Sequence, residues 1–87
     1  MARYEMELRN LPRHRILEYL GEIGGHPHPD QALRMDGEGW SAWLEELPPA
    51  VITVMTIRRD MLIIQGRDDA AGPVHDHMRQ RTMRGGG

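Results

Sequence analysis

Polar and apolar residues alternate at the start of the chain, where Tyr4, Met6 and Leu8 are separated by single glutamates. A period of two is typical of a β-strand that buries one face. The alternation therefore predicts a first strand over residues 3–9.

The next apolar residues recur with helical spacing between Ile16 and Ile23. Pro12 suits the first turn of a helix, and the Gly24-Gly25 pair suits a left-handed C-cap. The pattern predicts a helix over Leu11–Gly24.

The middle of the chain contains two short apolar segments. The run His26–Pro29 predicts a stiff extended connector, because each proline disfavours helical geometry in the residue before it. A short strand is expected at Ala32–Met35, followed by a tight turn at Asp36-Gly37. Residues 40–47 fit the spacing of a helix and of a strand equally, so periodicity does not decide between them.

A hairpin is predicted between Val51 and Gly66. Its first strand is the β-branched run ending at Ile57, Arg58–Asp60 is the expected turn, and Met61–Ile64 is the second strand. Pro48-Pro49 is expected to end the preceding element.

The last predicted element is a helix over about Ala70–Met83. Asp68 and Asp69 can cap it, Pro73 is tolerated in a first turn, and Val74 with Met78 supplies a thin apolar face. The chain is thus interpreted as one α+β domain over residues 1–84, followed by a flexible tail, Gly85–Gly87.

Composition excludes several classes of function. The 87 residues fit one small domain, and the absence of cysteine rules out disulfides, thiolate metal sites and cysteine nucleophiles. A net charge of -2 predicts no general attraction to nucleic acid. No apolar run reaches the roughly 18–20 residues that cross a bilayer, and no signal pattern is present. A cytoplasmic protein is expected.

Catalytic motifs are missing as well. The sequence has no Gly-rich phosphate loop, nucleophile elbow or His-Glu-X-X-His pattern, so neither an enzyme nor a cofactor is predicted. The acids Asp36, Glu38, Glu45 and Glu46 are interpreted as a solvated strand edge, where charge discourages aggregation.

Two His-X-His pairs raise the hypothesis of a metal site. His75 and His77 point about 200° apart on a helix and cannot chelate together. His26 and His28 can converge on an extended segment, but no third ligand is evident nearby. No functional metal site is predicted.

Residues suited to a protein interface are the remaining candidates. If residues 40–47 form a strand, Trp40 and Trp43 point to opposite faces, so one can be core and the other is expected to be partly exposed; Trp43 is taken as the interaction candidate. Arg79, Arg81 and Arg84 give the last helix a basic character.

Several of these segments together resemble a known domain. They are Tyr4–Leu8, the Leu17–Leu20 helix ending in Gly24-Gly25, the segment 37–47, Leu62–Gly66 and the ending Arg84–Gly87. The chain resembles the C-terminal domain of MoaD-related proteins, in which a ubiquitin-like half, similar to the small subunit of molybdopterin synthase, precedes a domain of this length.

This resemblance implies a TATA-binding-protein-like fold. Its order is β-α-β-β-β-β-α, with an antiparallel sheet curled around the C-terminal helix. On that ground residues 40–47 are predicted to form a strand.

Three functional hypotheses follow. The first is a non-catalytic accessory or protein-interaction module linked by resemblance to molybdopterin or sulfur-carrier systems. The second is a carrier activated at its Gly87 carboxylate, since only glycines such as Gly85 and Gly86 thread a narrow enzyme channel without steric cost. The third is a small-ligand or metal binder. A protein partner is expected, no nucleic-acid or membrane partner is, and the sequence leaves a homo-oligomer open.

Overall fold

The computed structural model describes residues 1–83, which form one α+β unit of five strands and two helices. The elements are β1 (Ala2–Arg9), α1 (Arg13–Glu22), β2 (His26–His28), β3 (Gln31–Gly37), β4 (Trp40–Ile52), β5 (Met55–Gly66) and α2 (Asp68–Met83). This confirms the predicted fold class and the order β-α-β-β-β-β-α.

The five strands form one antiparallel sheet in the spatial order β1-β5-β4-β3-β2. Both helices pack on the same face of this sheet, and their apolar residues enclose the core with those of the strands. The core residues are Leu8, Ile16, Leu20, Met35, Trp40, Ala42, Leu44, Leu62, Ile64, Ala71, Val74 and Met78. Neither helix is long and apolar enough to cross a membrane.

The first two elements form as predicted. In β1 every second side chain from Ala2 to Leu8 is at least partly buried, while the residues between them are exposed. Helix α1 ends at Glu22, and Gly24 then adopts a left-handed φ of 96°. Glycine is favoured in that conformation because it lacks Cβ.

The prediction between the first helix and Trp40 is wrong in two details. The expected connector contributes a strand, β2, which Pro27 tolerates because β2 lies at the edge of the sheet. The tight turn falls at Glu38-Gly39 rather than Asp36-Gly37, and Gly39 has a φ of 82°.

The predicted Val51–Gly66 hairpin is wrong in its turn. The chain reverses at Thr53-Val54, and Arg58–Asp60 lie inside the continuous strand β5. Pro48 and Pro49 do not end β4, because the register shifts between Leu47 and Ala50 and absorbs both prolines in a bulge. β4 and β5 therefore form a longer hairpin than the sequence predicts.

Helix α2 begins two residues before the predicted start. The Asp68-Asp69 pair lies in its first turn, where negative charge is favourable, and the Arg67 carbonyl accepts from the N–H groups of Ala70 and Ala71. Pro73 is the sixth residue of the helix, beyond the first turn. Gly72, immediately before it, has no Cβ to clash with the proline ring.

Candidate functional site

The sheet has one face covered by helices and one face that no other described element covers. Tyr4, Ile64, Ala42 and Met35 form a row across four strands on the helix side. Since successive residues of a strand point to opposite faces, the neighbouring row belongs to the other side. We call that side the open face.

An apolar stripe runs along the open face on the two central strands. From one end to the other its members are Ile63, Trp43, Met61, Leu47, Ile57, Ala50, Met55 and Ile52. Two charged residues occupy the remaining positions of these rows, Glu45 opposite Met61 and Arg59 opposite Leu47. Eight residue steps separate Met55 from Ile63 on β5, so the stripe is about 27 Å long. Ile63, at its inner end, is only 1% exposed.

The bulge at Pro48-Pro49 completes the stripe. Before the bulge, odd-numbered residues of β4 such as Leu47 lie on the open face. After it, Ala50 pairs with Ile57 and Ile52 pairs with Met55, so the even-numbered residues take that position. Without the extra residue, Ala50 and Ile52 would face the helix side.

The outer end of the stripe projects beyond the neighbouring strands. Pairing with β1 ends at Arg59, so the hairpin tip has no strand on that side. Val54 is 96% exposed and Met55 is 60% exposed. Residues 47–57 carry no charge. This uncharged run is visible in the sequence, but it was not interpreted as an exposed surface because the turn was predicted at the wrong position.

The interaction candidate Trp43 lies on this surface and Trp40 is buried in the core, so the two tryptophans occupy opposite faces, as a strand requires. The guanidinium carbons of Arg3 and Arg34 are 5.9 and 5.4 Å from the Trp43 ring centroid, within the range of cation–π attraction. The indole N–H of Trp43 donates to Glu45 at 3.2 Å. These contacts hold the ring against the sheet.

Ion pairs flank the stripe. Arg59 donates two hydrogen bonds of 3.0 Å to the Glu7 carboxylate, and Arg9 donates a third. The bond from Arg59, followed by that from Arg9, lowers the pKa of Glu7 to about 2. On the other flank, Asp36 accepts hydrogen bonds from Ser41 and Arg34, which lower its pKa. The surface thus combines an apolar centre with a charged rim.

The lowered pKa of Glu7 predicts a pH-dependent contribution to stability. Because the folded-state pKa lies below its ordinary value of 4.5, the contribution is fully present above that value. It is lost as the pH falls toward about 2. We expect Glu7→Gln to unfold more easily than wild type at neutral pH, with the difference closing over that acid range, as measured by urea titration at several pH values.

Glu5→Gln is the matched control, because it removes one carboxylate from the same face and strand. Among residues 1–83 the Glu5 side chain bonds only Arg3 of its own strand, so the substitution is expected to change stability less than Glu7→Gln at neutral pH. A pH-independent difference between Glu7→Gln and wild type would contradict the prediction.

The basic residues of the last helix do not join Trp43. Arg81 donates to Glu22 at 2.8 Å and stacks over Tyr19, which ties α2 to α1. Arg79 lines a groove beside β1. The structure therefore separates these candidates from the stripe. Arg84 and the tail candidates Gly85, Gly86 and Gly87 lie outside the described residues.

The histidine pairs have separate contacts. His75 stacks on Tyr4 with ring centroids 4.2 Å apart, and His77 contacts Glu22 at 3.0 Å. His28 accepts from the Asp30 N–H, and His26 lies opposite Asp36 across the β2–β3 pair. Residues 1–83 bring together no three side chains able to hold a metal ion.

The predicted acidic edge is divided between the two faces. Asp36 and Glu45 lie on the open face, whereas Glu46 pairs with Arg13 on the helix side at 3.0 Å. Glu38 lies in the turn before β4. The described residues therefore show dispersed ion pairs in place of one continuous acidic edge.

Comparison with known proteins gives a family. The model of the archaeal MoaD-like protein family matches residues 4–87. The chain belongs to this family. No curated protein matches it significantly. The match confirms the MoaD relationship predicted from the resemblance.

Proposed function

We propose that the chain is a non-catalytic protein-interaction module that works beside sulfur-carrier or molybdopterin systems. The observation that carries this proposal is the apolar stripe, which crosses an otherwise charged open face and ends at an exposed hairpin tip. Large apolar residues grouped on a surface are typical of interaction sites. Membership of the MoaD-like family supports the link to sulfur-carrier systems.

The surroundings of the stripe favour a protein ligand. Interfaces commonly have an apolar, aromatic centre inside a polar rim, and tryptophan and arginine are enriched there. The stripe contains Trp43, and its rim contains the Arg59–Glu7 pair and Arg34. A flat sheet face of this length presents no enclosed cavity for a small substrate.

The ionisable groups support a non-catalytic role. Those with shifted pKa values are engaged in ion pairs, such as Glu7 with Arg59 and Asp36 with Arg34. Within residues 1–83 every buried side-chain nitrogen or oxygen has a hydrogen-bond partner. Structural pairing accounts for these shifts without an active site.

The partner we propose is a ubiquitin-like sulfur carrier. In the MoaD-related proteins that the chain resembles, such a half precedes this domain in the same polypeptide. The stripe is the surface of this domain that we propose contacts such a ubiquitin-like unit.

Titration with the ubiquitin-like carrier of the same organism tests the proposal. Chemical-shift changes in the labelled chain are expected along the stripe. Met55→Glu should weaken binding at least about tenfold, because a charge placed on an apolar surface that the partner covers must be desolvated.

Met83→Glu is the matched control. Met83 is 70% exposed at the end of α2, so the substitution adds the same charge at a similarly exposed position away from the stripe. Equal affinity for Met55→Glu and wild type, or no binding by either, would contradict the proposal. Loss of binding in Met83→Glu alone would place the contact on the helix side.

A further inference from the structure

The two edges of the sheet differ in their openness to a new strand. The β2 edge is three residues long, contains Pro27 and has a register shift within it, between Pro27 and His28. These features discourage further pairing. The β1 edge is eight residues long, contains no proline and pairs with β5 along its whole length without a bulge. No other strand of residues 1–83 pairs with its outer side.

The outward backbone groups of β1 can be assigned from its register. The Asn10 N–H donates to the Arg58 carbonyl at 2.8 Å, one step beyond the Arg9–Arg59 pair. Since hydrogen-bonded and non-bonded pairs alternate along an antiparallel ladder, even-numbered residues of β1 bond to β5. The N–H and C=O groups of Arg3, Glu5, Glu7 and Arg9 therefore point away from the sheet.

A groove accompanies the second half of this edge. It has a volume of about 710 Å³ and lies between the strand and the C-terminal half of α2. Its lining includes Met6, Leu8, Leu11, His75, Arg79 and Met83. A strand added to β1 would direct alternate side chains into this partly apolar space and the others onto the open face.

A second copy of the chain as the added strand cannot place an opposite charge against all four charged residues of β1. Two-fold pairing centred on Met6 places only like charges opposite each other, and pairing centred on Glu5 or on Glu7 adds two Arg–Glu pairs but sets one glutamate against its own copy. Pairing centred on Tyr4 joins Arg3 with Glu5 but leaves Glu7 and Arg9 without a charged partner. Like charges directly opposite are destabilising.

We propose that the β1 edge and its groove bind an extended peptide segment of another protein by strand addition. The segment carries apolar residues at alternate positions, which enter the groove. Between them it carries charges complementary to the Arg-Glu-Glu-Arg pattern of the open face. Backbone hydrogen bonds would supply affinity and the alternating side chains specificity. The site shares Arg3 and Glu7 with the surroundings of the apolar stripe but depends on the β1 backbone and the groove, so failure of the peptide to bind would leave the stripe proposal standing.

Two synthetic peptides of identical composition test the charge rule. Glu-Val-Lys-Val-Lys-Val-Glu is complementary to the edge, whereas Lys-Val-Glu-Val-Glu-Val-Lys places like charges opposite each other. With millimolar matched peptide, amide exchange at Glu5, Glu7 and Arg9 is expected to slow about tenfold, because these N–H groups become hydrogen-bonded. The reversed peptide should have little effect. Equal protection by both peptides, or by neither, would overturn the proposal.

Variants of Glu5 separate backbone from side-chain effects. Glu5→Pro removes one outward N–H and should abolish binding, while Glu5→Ala keeps the N–H and should retain it. Glu5→Lys preserves the strand and should weaken binding of the matched peptide several-fold. This variant keeps the proposal testable even if the proline variant folds poorly. Unchanged affinity in Glu5→Lys would count against the charge rule. A dimer in solution that Glu5→Pro dissociates would assign the edge to a second copy and overturn the peptide proposal.

Discussion

Replacing Arg13 with Ala is expected to lower the free energy of unfolding by about 3 kcal/mol. Arg13, at the start of α1, donates to the Asp60 carboxylate from Nη2 at 2.7 Å and from Nε at 3.2 Å. Asp60 is only 2% exposed, and its remaining ion pair, with Arg58, is longer at 3.8 Å. Without Arg13, a buried carboxylate loses its principal partner. Asp60, followed by Glu46, raises the pKa of Arg13 above its ordinary value.

Arg15→Ala provides the control for helix propensity. Arg15 is exposed on the same helix, and arginine and alanine are both good helix formers. Chemical denaturation of both variants should show a large decrease in the free energy of unfolding for Arg13→Ala. For Arg15→Ala that free energy should change by no more than about 0.5 kcal/mol. Similar losses in the two variants would contradict the assigned role of the Asp60 pair.

A double substitution tests whether the loss of stability comes from leaving the Asp60 carboxylate without Arg13 or from losing the ion pair itself. Arg13→Met with Asp60→Leu removes both charges and keeps apolar bulk at the junction of α1 and β5. Buried ion pairs are often replaced by apolar residues without loss of stability. The double variant is therefore expected to be more stable than Arg13→Ala alone.

The same ion pairs explain why the local sequence pattern predicts the hairpin turn at the wrong position. Arg58, Arg59 and Asp60 have the composition of a turn, but partners 47 to 52 residues away in the chain hold them inside β5. Arg59 reaches Glu7 across the sheet, and Asp60 reaches Arg13. Local pattern contains no information on contacts over such separations, so a polar run in a strand looks like a turn.

The actual turn, at Thr53-Val54, also lacks the usual sequence signals. Thr53 adopts a positive φ of 54°, a conformation that β-branched residues rarely take and that glycine or asparagine normally signals. The four apolar residues around it, Val51, Ile52, Val54 and Met55, looked like the interior of a buried strand and are exposed instead. The stripe could not be predicted for this reason, although the placement of Trp40 and Trp43 on opposite faces could.

Where one local period dominated, prediction succeeded. The alternation in β1 and the spacing of Val74 and Met78 in α2 each reflect burial against the same core. The strand at residues 40–47 was predicted only with the help of the family resemblance, because its apolar residues fit both the helical and the strand period. The free β1 edge follows from strand order, which depends on long-range pairing that no single segment specifies.

Two glycine-to-alanine substitutions are expected to have opposite effects on stability. Gly66, at the end of β5, lies between Ala2 of β1 and Trp40 of β4. A Cβ there would clash with the Gly39 carbonyl oxygen and would lie 2.7 Å from the Trp40 Cα, both backbone atoms that cannot rotate away. Gly66→Ala must shift two strands, and overpacking of this kind costs about 3 kcal/mol.

Gly21→Ala is the opposite case, because a Cβ at this exposed position of α1 would meet only the Met35 methyl group at 3.8 Å. That distance is an ordinary van der Waals contact. Alanine also restricts the unfolded chain more than glycine does, so the variant should gain about 0.5–1 kcal/mol. Thermal unfolding of both variants, followed by tryptophan fluorescence, shows whether each substitution lowers or raises the stability. If Gly66→Ala kept wild-type stability, the close approach of β5 to the β3–β4 turn would be wrong.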